Sequence, residues 1–184
     1  MLSPNFTPYP VIETERLVLR QITAGDANEM FLLRSNKEIM KYIERPLAVT
    51  VNDAVELINN VEKMRLNNEG INWGITIKGT NKIIGTIGIW KIQKENYRAE
   101  IGYLLHTDHH RKGFMKEAIA AAIHFGFTTL QLHSLEAHIN PANEASRKLL
   151  ESTGFIQEAY FKQSFYYNGK FLDTVIFSLL NKPA

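Results

Sequence analysis

Apolar and polar positions repeat along this chain at two spacings, and the change from one to the other marks its elements. The stretch from Glu13 ends in alternating charged and apolar residues at Arg16-Leu17-Val18-Leu19-Arg20, which predicts a strand over 16–22. Met30, Phe31, Leu32 and Leu33 then recur at helical spacing behind Asp26, a residue suited to capping a helix. Val55, Leu57, Ile58, Val61 and Met64 share one stripe, predicting a helix from Asp53 to Leu66 with Asn52-Asp53 as its cap. Here the period drops from helix to strand. Trp73–Ile77 reads as a strand, Lys78-Gly79-Thr80-Asn81 as a turn, and Lys82–Trp90 as the returning strand. Arg98–Leu105 is a further strand. The longest helix is expected from about Lys112 to Leu130, with Met115, Ala118, Ile119, Ala122 and Phe125 on its packed face. Leu132–Ile139 reads as a strand, and Ala142–Thr153 as a helix closed by Gly154. Residues 155–167 and 171–180 read as two strands joined by the tight-hairpin pair Asn168-Gly169. The order β-α-α-β-β-β-α-β-α-β-β contains no repeat or linker. It predicts one α/β (α+β) domain over 1–184, core at about 14–180, on a single mixed sheet of about seven strands with about four helices.

Composition narrows what such a domain can be. With 45% hydrophobic and 22% charged residues, the chain is far from the disordered class. Cysteine is absent, which excludes disulfides, thiol catalysis and thiolate-held metal. No window approaches the roughly 18 apolar residues of a membrane span. The first residues lack the basic-then-apolar pattern of a secretory signal, so a cytoplasmic protein is expected. The net charge of +2 is too small to argue for a nucleic-acid partner. What matters is where the positive charge is concentrated.

It is concentrated in His109-His110-Arg111-Lys112-Gly113-Phe114-Met115-Lys116, between a strand and the long helix. The first turn of a helix offers unpaired N–H groups and a partial positive charge. A glycine lets a ligand approach the backbone, and Arg111, Lys112 and Lys116 add full charges. Such a site holds a pyrophosphate. The phosphate loop G-x-x-x-x-G-K-[ST] and the dinucleotide fingerprint G-x-G-x-x-G are both missing. Taken alone, the segment also reads as a basic loop that caps a surface helix. His106, His109 and His110 cluster as well, but without carboxylates at a known spacing they form no metal signature, and no metal is expected.

A second segment, Asn140-Pro141-Ala142-Asn143-Glu144-Ala145-Ser146 through Gly154-Phe155, follows the next strand. Strand, basic glycine loop, long helix, strand, and an N-x-x-S helix ending in Gly-Phe together resemble the GNAT acetyltransferase superfamily. Within it the chain is most similar to the Rim-type branch, whose members acetylate the N-terminal residue of ribosomal proteins. The phrases that carry the resemblance are TERLVLR at 14–20, IIGTIGI at 83–89, AEIGYLL at 99–105, NEASRKLLESTGF at 143–155 and YYNGKFLDTVIFSLL at 166–180. The resemblance implies the GNAT fold, with a largely antiparallel sheet. It also implies an enzyme that moves an acetyl group from acetyl-CoA to a primary amine by direct attack in a ternary complex.

Residue roles follow from the same resemblance. The family's phosphate pattern Q/R-x-x-G-x-G/A falls on His110-Arg111-Lys112-Gly113-Phe114-Met115. Gly113 and the basic pair match it. His110 stands for Gln or Arg, and Met115 stands for a small residue, adding bulk beside the cofactor path. Backbone N–H groups from Arg111 to Lys116 would cradle the pyrophosphate. Tyr103, Leu104 and Leu105 would pair through backbone groups with the pantetheine arm, like an added strand. Asn143 matches the asparagine that contacts the pantetheine. In the Rim-type pattern a serine at the position of Ser146 is placed to protonate the departing thiolate, and the tyrosine that often does so elsewhere in the superfamily is Leu150 here. The alternative for Ser146 is a bond to its own helix backbone. Glu100 stands where many relatives carry a catalytic glutamate, and it also reads as a sheet residue paired with Lys91 or Arg98. His138, beyond Glu136 on the next strand, lies near where some N-terminal acetyltransferases carry a base. The glutamate that part of the branch uses in the penultimate strand is Phe165 here. Phe161, Phe165, Tyr166, Tyr167 and Phe171 read as sheet packing, with some of them beside Trp73 and Trp90 at an acceptor pocket.

The acceptor class follows from proton chemistry. At pH 7.4 an α-amine is roughly a fifth neutral, whereas a lysine side chain is about a thousandth neutral. A site with a weak base therefore suits an α-amine, and a peptide or protein N-terminus is expected. A small amine (polyamine, amino acid or antibiotic) and a non-catalytic acyl-CoA-binding domain are the alternatives. No direct nucleic-acid or membrane partner is expected, and a homodimer is left open.

Overall fold

The computed structural model describes residues 1–181; the last residues of the expected domain, 182–184, lie outside the described residues. Its elements are β1 (Ile12–Glu13), β2 (Leu17–Gln21), α1 (Ala27–Ser35), α2 (Val51–Leu66), β3 (Ile71–Ile77), β4 (Ile83–Gln93), β5 (Arg98–Leu105), α3 (Phe114–Thr128), β6 (Ser134–Ile139), α4 (Glu144–Ser152), β7 (Ile156–Tyr167) and β8 (Lys170–Leu180). The eight strands form one sheet in the order β1-β2-β3-β4-β5-β6-β8-β7. Every neighbouring pair is antiparallel except β5 and β6. This is the mixed, largely antiparallel sheet with four helices that the resemblance implies. The strand beyond the expected seven is β1, whose two residues are too few to show any alternation. No helix among the described residues is long and apolar enough to cross a membrane.

Local chemistry corrects the expected caps. Helix α2 begins two residues before the expected Asp53, behind Thr50 rather than Asn52-Asp53. Thr50 and Asp53 form a capping box in which Asp53 accepts from Val49 N at 2.6 Å and Thr50 N at 2.9 Å. Asp26 precedes α1 but does not cap it with its side chain. Its carboxylate is held instead by Thr23 N at 2.8 Å and by Arg20 at 2.6 Å. A fixed guanidinium is the stronger donor. Asn143 does cap α4, accepting from Ser146 N at 3.1 Å.

Both faces of the sheet are covered, by different layers. The expected stripe of α3 (Met115, Ala118, Ile119, Ala122, Phe125) is buried against one face together with Ile101 of β5. On the other face Leu104 of β5 joins Met30 and Leu33 of α1 and Ala54 and Ile58 of α2. Successive residues of a strand point to opposite faces. Odd positions of β5 therefore face α3, and even positions face α1 and α2. Where β5 meets β6 this second face becomes polar, with Glu100 on β5 beside Glu136 on β6.

One aromatic expectation fails and another holds only in part. Trp73 is fully buried, donates to Pro10 O at 2.7 Å and meets the Phe125 ring edge-on at 5.2 Å. It is a core residue and lines no acceptor pocket. Of the packing expected for the hairpin aromatics, the cross-strand pair Tyr166–Phe171 forms, with ring centroids 4.9 Å apart, but β6 pairs β8 only as far as Val175. The rest of β7 and β8 projects as a two-stranded ribbon, leaving Phe165 45%, Tyr166 62% and Phe171 64% exposed.

Candidate functional site

The site begins with a break in the sheet. β5 and β6 pair only over Arg98–Glu100 and Ser134–Glu136, whereas β5 stays paired with β4 as far as Leu105. Past Glu100 no pairing joins β5 to β6, and a gap opens toward their C-terminal ends. His106 N donates to Ile84 O at 2.8 Å, which fixes the alternation of the β4–β5 ladder. Even positions of β5 bond to β4, and the backbone groups of Tyr103 face the gap. An extended chain can bond there as an added strand. Of the three residues expected to do so, Tyr103 and Leu105 turn backbone groups to the gap, and Leu104 turns its groups to β4. The Leu105 carbonyl is already met by His110 Nε2 at 3.0 Å, so His110 folds back onto the strand.

At the end of the gap the chain turns through two left-handed residues, Arg111 (φ 59°) and Gly113 (φ 78°). Gly113 is the N-cap of α3 and supplies no side-chain cap. The first-turn N–H groups, at Phe114, Met115 and Lys116, are thus left for an external acceptor. A Cβ on Gly113 would come within 3.2 Å of Arg16 Nη2. Arg111, Lys112 and Lys116 are exposed around this turn. Met115 departs from expectation, because its side chain is buried in the core and adds no bulk beside the turn.

The TERLVLR phrase has a role that sequence reasoning did not find. Glu117, in the first turn of α3, accepts from Thr14 Oγ1 at 2.6 Å, Arg16 N at 2.8 Å and Arg16 Nε at 2.7 Å. Arg16 also donates to Lys112 O at 3.0 Å and lies 4.8 Å over the Phe114 ring. The start of β2 therefore clamps the glycine turn. Burial alone would raise the Glu117 pKa, but the bonds from Thr14 and Arg16 outweigh it and hold the carboxyl below its usual range. Replacing Glu117 with Ala should cost about 1–2 kcal/mol and lower the melting temperature by roughly 3–6 °C. Because the folded-state pKa is depressed, this stabilisation is fully present above the usual value near 4.5 and is lost as pH falls through the folded value. Melting curves of the two proteins should converge in acid; a gap that persists there would overturn the assignment.

On the α3 side of the gap, the buried hydroxyl of Ser146 lies 2.7 Å from the hydroxyl of Tyr103. Its partner is thus a phenol across the gap. Burial pushes the Tyr103 phenol up to about 12, with the Ser146 bond acting in the opposite direction, so Tyr103 keeps its proton at neutral pH. Strand alternation could have aimed Tyr103 toward α4, but reading β5 as a backbone ligand hid its side chain. Leu150 is fully buried.

On the opposite face, Glu100, Glu136 and His138 bring their polar atoms within 4.8 Å of one another. Lys91 Nζ holds Glu100 at 2.6 Å, Arg98 pairs with Glu136, and His138 Nε2 lies 3.3 Å from Glu136 Oε1. Glu100 is therefore a buried sheet residue paired with Lys91, while Arg98 serves Glu136. Trp90, opposite Glu100 in register, lays its ring on Gly102, where a Cβ would overlap Trp90 Cη2. Ser146 and Glu100 thus stand on opposite faces of the sheet, and the β5–β6 gap joins them.

Known proteins share this architecture. The profile of the acetyltransferase (GNAT) domain matches residues 16–156. The uncharacterised N-acetyltransferase YoaA of Bacillus subtilis is 37% identical over 175 residues, covering 95% of this chain and 98% of its own. The spermidine N(1)-acetyltransferase of Vibrio cholerae is 26% identical, over 86% of this chain and 89% of its own. The crystal structure of the ribosomal-protein-S5-alanine acetyltransferase from Vibrio fischeri aligns with a TM-score of 0.82 at 25% identity, covering 95% of this chain and all of that one. A profile match that runs from β2 to the start of β7, over a sheet split beside a glycine-started helix, makes this chain a member of the GNAT acetyltransferase family.

Proposed function

We propose that the chain transfers an acetyl group from acetyl-CoA to a primary amine, with the α-amine of a peptide or protein as acceptor. The β5–β6 gap carries this reading. It runs between a turn built for pyrophosphate at Gly113 and a carboxylate on the far face at Glu100. The residues present fit the donor. Phe114, Met115 and Lys116 offer N–H groups, Arg111, Lys112 and Lys116 offer charge, and a side chain on Gly113 would crowd Arg16, which clamps the turn. Tyr103 and Leu105 offer backbone groups to the arm, and Asn143 keeps its amide nitrogen for it while its oxygen caps α4.

When bound, acetyl-CoA supplies the thioester. Glu100 takes the proton that the acceptor ammonium must lose, and the freed nitrogen bonds to the acetyl carbon. Ser146, backed by the Tyr103 phenol, gives a proton to sulfur as the carbon–sulfur bond breaks. The second proton shed by nitrogen refills the hydroxyl pair through solvent. His138, held by Glu136, is a second base on the Glu100 face. The named relatives act on a polyamine and on a protein, so the acceptor class rests on the site. A carboxylate is a weak base, matched to an amine already partly neutral.

The test is release of free CoA. Alanine-starting peptides should be turned over, and background rates across such peptides, polyamines and amino acids would end the reading. Ser146→Ala should lower kcat about ten-fold, and its combination with Tyr103→Phe about a hundred-fold, while CoA affinity holds. Unchanged rates in the double variant would remove the acid role from this pair.

A further inference from the structure

The face that carries Glu100 also carries cations without counter-ions. Among the described residues, Arg16, Arg20, Arg65, Arg98 and Arg147 each have a carboxylate partner. Arg111, at the phosphate turn, has none, and the same holds for Arg34 and Arg45. Arg34 lies in the last turn of α1. Its Nε is buried without a hydrogen-bond partner, and its Nη1 reaches only the weakly accepting thioether of Met40 at 4.0 Å. Burial first, and the charge of Arg45 second, push the Arg34 guanidinium down to about 10. A half-buried guanidinium facing a like charge is unfavourable unless an anion joins it. The C-terminal end of α1 compensates only in part.

Their position matters as much as their charge. The loop from 36 to 50 lies on the α1–α2 side, where Ile39 and Met40 are buried and Ile43 and Leu47 pack. Ala48 N donates back to Arg34 O at 3.1 Å. Glu44, the residue before Arg45, accepts from Asn140 Nδ2 at 3.0 Å. Asn140 follows the end of β6, just ahead of Asn143, so the loop is tied across the mouth of the gap. The Gly113 turn begins the helix that packs on the opposite face, so CoA phosphates held there would leave these two arginines unmet.

We propose that Arg34 and Arg45 bind an anionic group, a carboxylate or a phosphate, carried by the acceptor amine. This rests on the acetyl-transfer reading and sharpens its substrate class. The preferred acceptor is an α-amine with an acidic group close behind it, and a polycation is disfavoured by repulsion.

The experiment compares four dipeptide amides with one α-amine: alanyl-glutamate, alanyl-phosphoserine, alanyl-glutamine and alanyl-lysine, with spermidine alongside. One acidic dipeptide should exceed alanyl-glutamine at least ten-fold in kcat/KM, chiefly through KM, and which one does so tells carboxylate from phosphate. Arg34→Met and Arg45→Met should collapse that ratio, and Arg34→Lys should restore part of it, each variant first checked for a melting temperature no lower than the parent's. Equal rates for acidic and neutral dipeptides, a preference for alanyl-lysine or spermidine, or a ratio that survives in both Met variants would overturn the proposal. Equilibrium binding of N-acetyl-alanyl-glutamate and N-acetyl-alanyl-phosphoserine needs no turnover. Binding that depends on Arg34 without CoA release from any acceptor would sink acetyl transfer and keep the anion site. Turnover without acidic preference would do the reverse, and neither binding nor turnover would sink both.

Discussion

Gly113→Glu should raise the dissociation constant for CoA at least a hundred-fold. Gly113 sits at φ 78°, where a side chain costs roughly 1 kcal/mol. Its Cβ would crowd Arg16 Nη2 at 3.2 Å, disturbing the clamp that Arg16 forms with Glu117 and Lys112. The new carboxylate would also occupy the first-turn N–H groups and repel a pyrophosphate there. A hundred-fold loss is about 2.8 kcal/mol, within reach of these effects combined. Gly113→Asn, which tolerates the left-handed region better, should lose far less. Calorimetric titration of CoA measures both, and a Glu variant that folds and binds with intact affinity would move the phosphate site elsewhere.

The second large effect is expected on rate. Glu100→Gln should lower kcat about a hundred-fold or more while CoA affinity stays within a factor of two or so. The exposed Lys91 loses its partner, a change of small consequence for stability because the lysine is largely solvated. The diagnostic is pH. As pH rises past about 8 an α-amine sheds its proton unaided, so the deficit should narrow. A deficit that ignores pH would argue that Glu100 positions the acceptor rather than deprotonating it. A deeper loss in His138→Ala than in Glu100→Gln would give the base to His138.

Periodicity made the elements legible because each buries one face. The α3 stripe and the β7–β8 hairpin were placed by spacing and by Asn168-Gly169 alone. What it missed depends on contacts distant in sequence. The projecting hairpin follows from where β6 stops pairing β8, at Ile139 opposite Val175. Burial of Trp73 depends on Pro10 and Phe125. The cap of α2 is readable in Thr50-x-x-Asp53, although the adjacent Asn52-Asp53 pair carries cap-forming residue types as well. In the candidate site, Gly113, Asn143 and Ser146 were proposed from the motifs that carry the resemblance, and Glu100 from its place on β5. The Glu117 clamp and the Tyr103–Ser146 pair were not, because each joins residues that no local spacing connects.

The two tryptophans have unequal fates, and this has an optical consequence. Trp73 is sealed in the core, whereas Trp90 is partly open, stacked on Gly102 beside Glu100. A collisional quencher such as iodide therefore meets one indole and not the other. Whatever enters the space beside Glu100 alters the emission of a single fluorophore over a constant background. If the proposed acceptor enters there, the protein is an intrinsic, label-free sensor of its own occupancy.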